Sequence, residues 1–296
     1  MTTLRQMRFL VALDDTKNFS RAAEICNVTQ STLSSGLKEM EARLGVKVAE
    51  RSTHSVLMTS IGTALANRAR EILAKVSDFE AAAHAEMSAG PTRLRLGVIP
   101  TVGPFLLPRA LPALRETWPK MQVYLREELT DSLLSGLMEG RLDLILIALP
   151  HDLPEQVETM LLFEDNYSLA TSRAHPLANL SRIEGADLAG RRLLLLERGH
   201  CLQKHALSSV PGVALEEDAS FSATSLPTLV SMVEEGIGVT LLPNLAIEAG
   251  LTAGHDLHLS QLEGATPRRV VLAWRKSSTY PDIFQQIGEI LRRTKR

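Results

Sequence analysis

The chain has 296 residues, 45% apolar and 22% charged, with a net charge of −2. That is room for two or more cored domains of ordinary globular composition; no apolar run reaches the ~20 residues of a membrane span. Two cysteines exclude a disulfide scaffold, and no CxxC or Cys/His spacing suits a metal, so neither metal nor cofactor is expected.

The N-terminus, Met1-Thr2-Thr3-Leu4-Arg5-Gln6, lacks the basic start and apolar core of a signal peptide. This and the scarce cysteines place the chain in a reducing cytoplasm. Leu4 to Leu13 carries Leu4, Met7, Phe9, Leu10, Ala12 and Leu13 at helical spacing. A short second helix, Phe19 to Cys26, follows Asn18 or Ser20 as cap, and its stripe puts Cys26 in the core. After the Asn27-Val28 break a third helix opens at Thr29 and runs to Leu44, stopped by Gly45. Val46 to Met58 reads as a hairpin with Arg51 to Ser55 at its tip, and Ile61 to Met87 as one long helix. Along it Ile61, Ala64, Leu65, Ala69, Ile72, Leu73, Val76 and Phe79 form an apolar stripe, suited to helix pairing or to packing on its own domain. Ser88 to Thr92 is a linker with a Gly-Pro breaker.

Beyond the linker, strands alternate with helices. Strands are expected at 94–99, 123–127, 142–147, 167–170, 192–196, 221–222, 238–242 and 270–274, and helices at 105–118, 131–139 and 281–293. Alternation of this kind implies an α/β layer around a mostly parallel sheet.

Helix, tight break and polar-headed helix make a helix-turn-helix. Ala22 and Ala23 let the second helix pack closely, so that Thr29, Gln30, Ser31, Thr32, Ser34 and Ser35 face base edges in the major groove. Arg51 is placed for a phosphate or minor-groove contact. Residues 1 to 60 hold eight Lys and Arg against six acids, a modest positive balance. A plain helical bundle with polar turns is the competing reading.

Cys201 lies in Glu197-Arg198-Gly199-His200-Cys201-Leu202-Gln203-Lys204-His205, at the expected start of a helix. Cationic neighbours and the positive end of a helix both favour thiolate, the reactive form. The other reading is a small buried apolar residue. Thr101 sits in the Pro100–Pro104 turn after a strand, a ligand-facing position in such sheets. Thr130 precedes a helix and suits a cap or a pocket wall equally.

Over its whole length the chain resembles the LysR-type transcriptional regulators. The residues that carry this are Phe19-Ser20-Arg21-Ala22-Ala23, Thr29-Gln30-Ser31-Thr32-Leu33-Ser34, Leu44-Gly45-Val46 with Glu50-Arg51, and Met58-Thr59-Ser60-Ile61-Gly62. The resemblance implies an α+β multidomain chain: a winged helix-turn-helix over 1–60, a dimerising linker helix over 61–90, and an effector domain over 91–296. The effector domain would have two Rossmann-like lobes as in periplasmic binding proteins, 91–162 with 268–296 and 163–267, joined by strands crossing near Phe163 and Arg268. The implied partners are promoter DNA, further copies of the chain as dimer and tetramer, and RNA polymerase, with no membrane.

The effector half is similar to the OxyR group of hydrogen-peroxide sensors in Ile99 to Pro104, Leu107-Pro108, Asp187 to Gly190, Gly199 to Leu202, Phe221 to Leu226, Thr228-Leu229 and Leu241 to Pro243. That implies Cys201 as the thiol that meets peroxide, with His200, Thr101 and Thr130 lining the pocket and Arg268 or Arg269 near it. Val102, Phe221 and Thr224 complete the expected effector pocket. Members of that group carry a second cysteine nine residues on; here the place is Val210. The expected output is therefore a sulfenic acid or mixed disulfide. The alternative is a regulator that binds a small anionic effector in the cleft between lobes. A one-cysteine thiol peroxidase is the third reading; Gly-His-Cys shows no base and orienter for it, so no enzyme is expected.

Overall fold

The computed structural model describes residues 1–51, 56–85, 92–180, 182–197 and 217–295, with 51, 77, 78, 81–85 and 217–222 described through their backbone alone. These form two compact units, one of 1–88 with 138–141 and one of the remainder.

The first unit contains α1 (Leu4–Thr16), α2 (Phe19–Ile25), α3 (Gln30–Leu44), a hairpin of β1 (Ala49–Arg51) and β2 (Val56–Met58), and α4 (Ser60–Ala85). Side chains set the boundaries. Thr3 and Gln6 form a capping box on α1, Asn18 accepts from the Ser20 and Arg21 amides at α2, and Thr29 accepts from Thr32 at α3. Gly45 ends α3 at φ 69°, a left-handed conformation suited to glycine. Phe9, Leu10, Leu13, Ala22, Ala23, Leu33, Leu37 and Met40 form the core.

The expected core position of Cys26 needs correction: it is half-buried at the rim, and Leu4 and Ile25 are exposed. The seven-residue α2 turns Ala22 and Ala23 inward, which points Ile25 out and leaves Cys26 at the helix end. The α4 stripe also divides. Ala69 is buried, Leu65, Leu73 and Val76 are half-buried, and Ile61, Ala64, Ile72 and Phe79 are exposed, Phe79 at 77%. The buried line is instead Gly62, Ala66, Ala69, Arg70 and Ala74. A side-chain carbon on Gly62 would stand 1.9 Å from the Val48 carbonyl oxygen, so the helix start abuts the hairpin only because residue 62 has none.

The second unit holds two sheet systems. The first is a five-stranded sheet in the order β4 (Gln122–Glu127), β3 (Arg93–Val98), β5 (Leu144–Leu149), β13 (Arg268–Arg275), β6 (Val157–Asp165). With it go α5 (Gly103–Thr117), α6 (Thr130–Met138) and α9 (Pro281–Thr294). The second combines a four-stranded sheet, β11 (Thr240–Pro243), β7 (Tyr167–Ser172), β12 (Leu257–Leu262), β8 (Arg182–Ile183), with a parallel pair, β9 (Leu193–Leu196) and β10 (Glu217–Ala223). α7 (Leu226–Glu234) and α8 (Asn244–Glu248) pack with it.

The sheets are mixed, not mostly parallel. β3 runs parallel to β4 and β5, whereas β13 is antiparallel to both β5 and β6, and β7 is antiparallel to β11 and β12. β6 and β12, which the sequence pattern did not reveal, add antiparallel pairings to those of β13 with β5 and of β11 with β7. Val157–Asp165 and Leu257–Leu262 bury apolar residues irregularly along edge and mixed strands, without clean alternation.

His175 caps a short 3-10 turn (Pro176–Asn179), its Nδ1 accepting from the Leu177 amide at 3.2 Å. Burial, and then Arg191, hold its pKa below the usual histidine range. The unfolded chain therefore takes up the proton first, and stability conferred by this cap is full above about pH 6.5 and declines as pH falls below it. We expect a loss on the order of 1 kcal/mol between neutral and mildly acid pH. Urea melts of His175→Asn, which keeps a cap without a titration, should show a flatter pH dependence.

Candidate functional site

The first candidate surface is the N-terminal half of α3. Leu33, Leu37 and Met40 anchor the helix, which turns Thr29, Gln30, Ser31, Thr32 and Ser35 to solvent and leaves Ser34 half-buried. Thr29 is committed to the cap, bonding the Thr32 amide and the hydroxyls of Ser31 and Thr32. Gln30 accepts from Ser20 Oγ at 3.3 Å, which leaves its amide nitrogen available. Arg51 ends β1, and its side chain lies outside the described residues.

The second candidate is built at one edge of the five-stranded sheet. Thr101 follows β3, Thr130 opens α6 after β4, and antiparallel β13 begins at the same edge with Arg268 opposite Asp165. The carboxyl ends of parallel strands thus meet the start of an antiparallel one, the usual place for a ligand in such sheets. Arg268, 1% exposed, donates from Nη1 to Thr101 Oγ1 at 2.8 Å and from Nη2 to the Thr101 carbonyl at 3.0 Å. Its Nη2 and Nε also donate to Asp165 Oδ2, at 2.8 and 3.1 Å. Asp165 Oδ1 accepts from the Leu245 amide at the start of α8. Both charges are compensated, which buried charges require.

Of the expected pocket residues, Thr101, Val102, Thr130 and Arg268 are buried at this edge. Of the two arginines, Arg268 bonds Thr101 and Arg269 is exposed. Thr130 Oγ1 is buried with no hydrogen-bond partner among the described residues, so its hydroxyl does not act as a cap. Thr224 is exposed after β10, Phe221 is described by backbone only, and His200 and Cys201 lie outside the described residues. Asp165 was not foreseen. Its role depends on strand register, and nothing in Glu164-Asp165-Asn166 signals it.

Cys26, the other thiol, sits with Sγ 3.8 Å from the Arg8 carbonyl, and burial pushes its pKa up against the opposing pull of Arg8. It is a poor thiolate. Among the described residues no group of three or more His, Cys, Asp or Glu could hold a metal, and no helix is long and apolar enough to cross a membrane.

Comparison with known proteins matches residues 4–63 to the bacterial regulatory helix-turn-helix domain of the lysR family and residues 89–296 to the LysR substrate binding domain. The dual regulator OxyR of Escherichia coli K12 is 38% identical over 98% of this chain and 94% of its own length. The regulator EstR of Acinetobacter baylyi is 38% identical over 99% of this chain and 97% of its own. A full-length OxyR structure from Pseudomonas aeruginosa, a cysteine-to-aspartate variant, matches with a TM-score of 0.79 at 31% identity, covering 99% and 95% of the two chains.

Proposed function

As the chain belongs to the LysR family of DNA-binding transcriptional regulators, we propose that it senses peroxide through Cys201. The observation that carries this reading is the buried end of the five-stranded sheet, where Thr130 Oγ1, after β4, has no hydrogen-bond partner among the described residues and Thr101, after neighbouring β3, is held by Arg268. Because Arg268 donates to Thr101 Oγ1, the Thr101 O–H is left to donate outward. A peroxide oxygen, donor and acceptor at once, matches such hydroxyls. Similarity to relatives named as hydrogen peroxide-inducible genes activators supports the same reading.

In the step we propose, the Cys201 thiolate attacks one peroxide oxygen. An S–O bond forms, the O–O bond breaks, and the second oxygen leaves as hydroxide, which a proton converts to water. The sulfenic acid then persists or condenses with a small cellular thiol, forming S–S and releasing water. Either product adds polar bulk where a thiol sat, the local change that biases a two-state element. His200 is assigned to the pocket and Gln30, Ser31, Thr32, Ser34, Ser35 and Arg51 to DNA, with Thr29 holding the helix start. The exposed Ile61, Ile72 and Phe79 of α4 would pair with a second copy, pairs of dimers forming the tetramer.

One observation favours a second reading, a small effector between the lobes. The chain has only two cysteines, and the second is the poorly ionised Cys26. Cys201→Ser separates the two. We expect peroxide to stop altering promoter binding in that variant while basal DNA affinity is kept; an unchanged response to peroxide would rule out sensing through Cys201.

A further inference from the structure

The second unit has a cleft away from the Thr101 edge. It is an open groove of about 630 Å³ bounded by α9, the start of β6, the end of β13 and the end of α5. Both tryptophans of the chain, Trp118 and Trp274, line it. Register places its parts. Trp274 is the cross-strand partner of Glu158, and it meets Phe284 of α9 with ring centroids 6.0 Å apart. One end of the groove therefore gathers Trp274, Glu158 and the first turns of α9, which carry Asp282. Trp118, just past the C-terminus of α5, adds an indole and the negative end of a helix dipole.

Three groups of this groove have no side-chain partner among the described residues, although Asp282 also suits the N-terminus of α9 and Arg293, eleven residues farther along that helix, lines the groove too. Glu158 and Asp282 make no ion pair among the described residues, although Glu289 farther along α9 is paired with Arg292. The Trp274 indole N–H is buried, with the side chain 1% exposed, and has no hydrogen-bond partner among the described residues. A buried indole N–H ordinarily finds an acceptor. Unpaired carboxylates, indole faces and a helix C-terminus all favour a cation.

We propose that this cleft binds a small organic ammonium compound, with its cationic head between Glu158 and Asp282 against the indole of Trp118. A hydroxyl or carbonyl on the same molecule would answer the Trp274 N–H. The site is independent of Cys201 and would give the regulator a second chemical input.

The chain's only tryptophans line the cleft, so its intrinsic emission reports occupancy directly. The test is a titration of the full-length protein with butane-1,4-diamine at constant ionic strength, with sodium butyrate as anion control, followed by emission and by ligand-observed NMR. We expect a saturable change with the diamine and none with butyrate. We also expect Glu158→Gln combined with Asp282→Asn to weaken the diamine by about tenfold or more while the emission of the free protein stays unchanged. No saturation in either readout up to about 20 mM, well above any millimolar affinity, would overturn the assignment. So would equal binding of butyrate, or undiminished binding by the double variant.

Discussion

Replacing Arg268 with alanine is expected to destabilise the effector domain by about 3–5 kcal/mol. Asp165 is 2% exposed and takes two hydrogen bonds from the guanidinium, so the substitution strands a carboxylate in the interior. The Leu245 amide still faces Asp165 Oδ1, but one neutral donor cannot replace a charge. Thr101 also loses the bonds that fix its hydroxyl and carbonyl. Against the 5–15 kcal/mol typical of a whole domain, the loss should shift the urea midpoint plainly. The double variant Arg268→Met with Asp165→Leu removes both charges and is expected to recover most of the stability, as apolar replacements of buried pairs commonly do. It should not recover the response to peroxide if the Thr101 geometry matters. A midpoint unchanged by Arg268→Ala would mean that the pair is not buried as described.

Arg70→Ala is expected to cost the N-terminal unit about 3 kcal/mol, at the lower end of the range for a broken buried pair. Arg70 is 7% exposed and donates to Asp14 Oδ2 at 2.7 Å, Asp15 Oδ1 at 2.6 Å and Asn67 Oδ1 at 2.7 Å. This fastens α4 to the end of α1 within the unit that carries α3. Lys17 also bonds Asp14 at 2.5 Å, so the carboxylate is not wholly abandoned. Burial pushes the Asp14 carboxyl up, yet the bonds from Lys17 and Arg70 outweigh it and hold its pKa below the ordinary range. Stability from Asp14 is therefore complete above the unfolded value, near pH 4, and is lost as pH falls toward the lower folded value. Acid unfolding of the wild-type unit should show this slope; Arg70→Ala should flatten it.

These two pairs mark where the sequence stopped being readable. Local signals placed α2 and α3 within a residue, because Asn18, Thr29 and Gly45 announce helix ends by their own chemistry, whereas α1 runs three residues past the expected Leu13. The parallel strands β3, β4 and β5 were equally plain. β6 and β12 were not, because their partners are distant in sequence and their burial does not alternate. The cluster at the sheet edge was half legible. Thr101 and Thr130 follow strands and could be suspected from their own neighbourhoods. Asp165 lies 103 residues from Arg268, and only the register of β6 on β13 brings them together. Arg70 meets Asp14 across 56 residues in the same way, on the face of α4 opposite to the exposed part of its apolar stripe, where a lone arginine gives no local sign of a buried partner. The α4 residues left outside are Ile61, Ile72 and Phe79, the face we assign to a second copy of the chain.

The central claim, that oxidation of Cys201 changes how the protein holds DNA, is tested most directly by treating the DNA-bound protein with peroxide and dividing each sample. One part goes to mass spectrometry of the Cys201 and Cys26 peptides, the other to a footprint of the promoter. The account predicts that the footprint changes in proportion to Cys201 carrying an added oxygen or a thiol adduct, with Cys26 unmodified. A footprint that changes while Cys201 remains a free thiol, one that stays fixed when Cys201 is fully oxidised, or a bridge between Cys26 and Cys201, would contradict it.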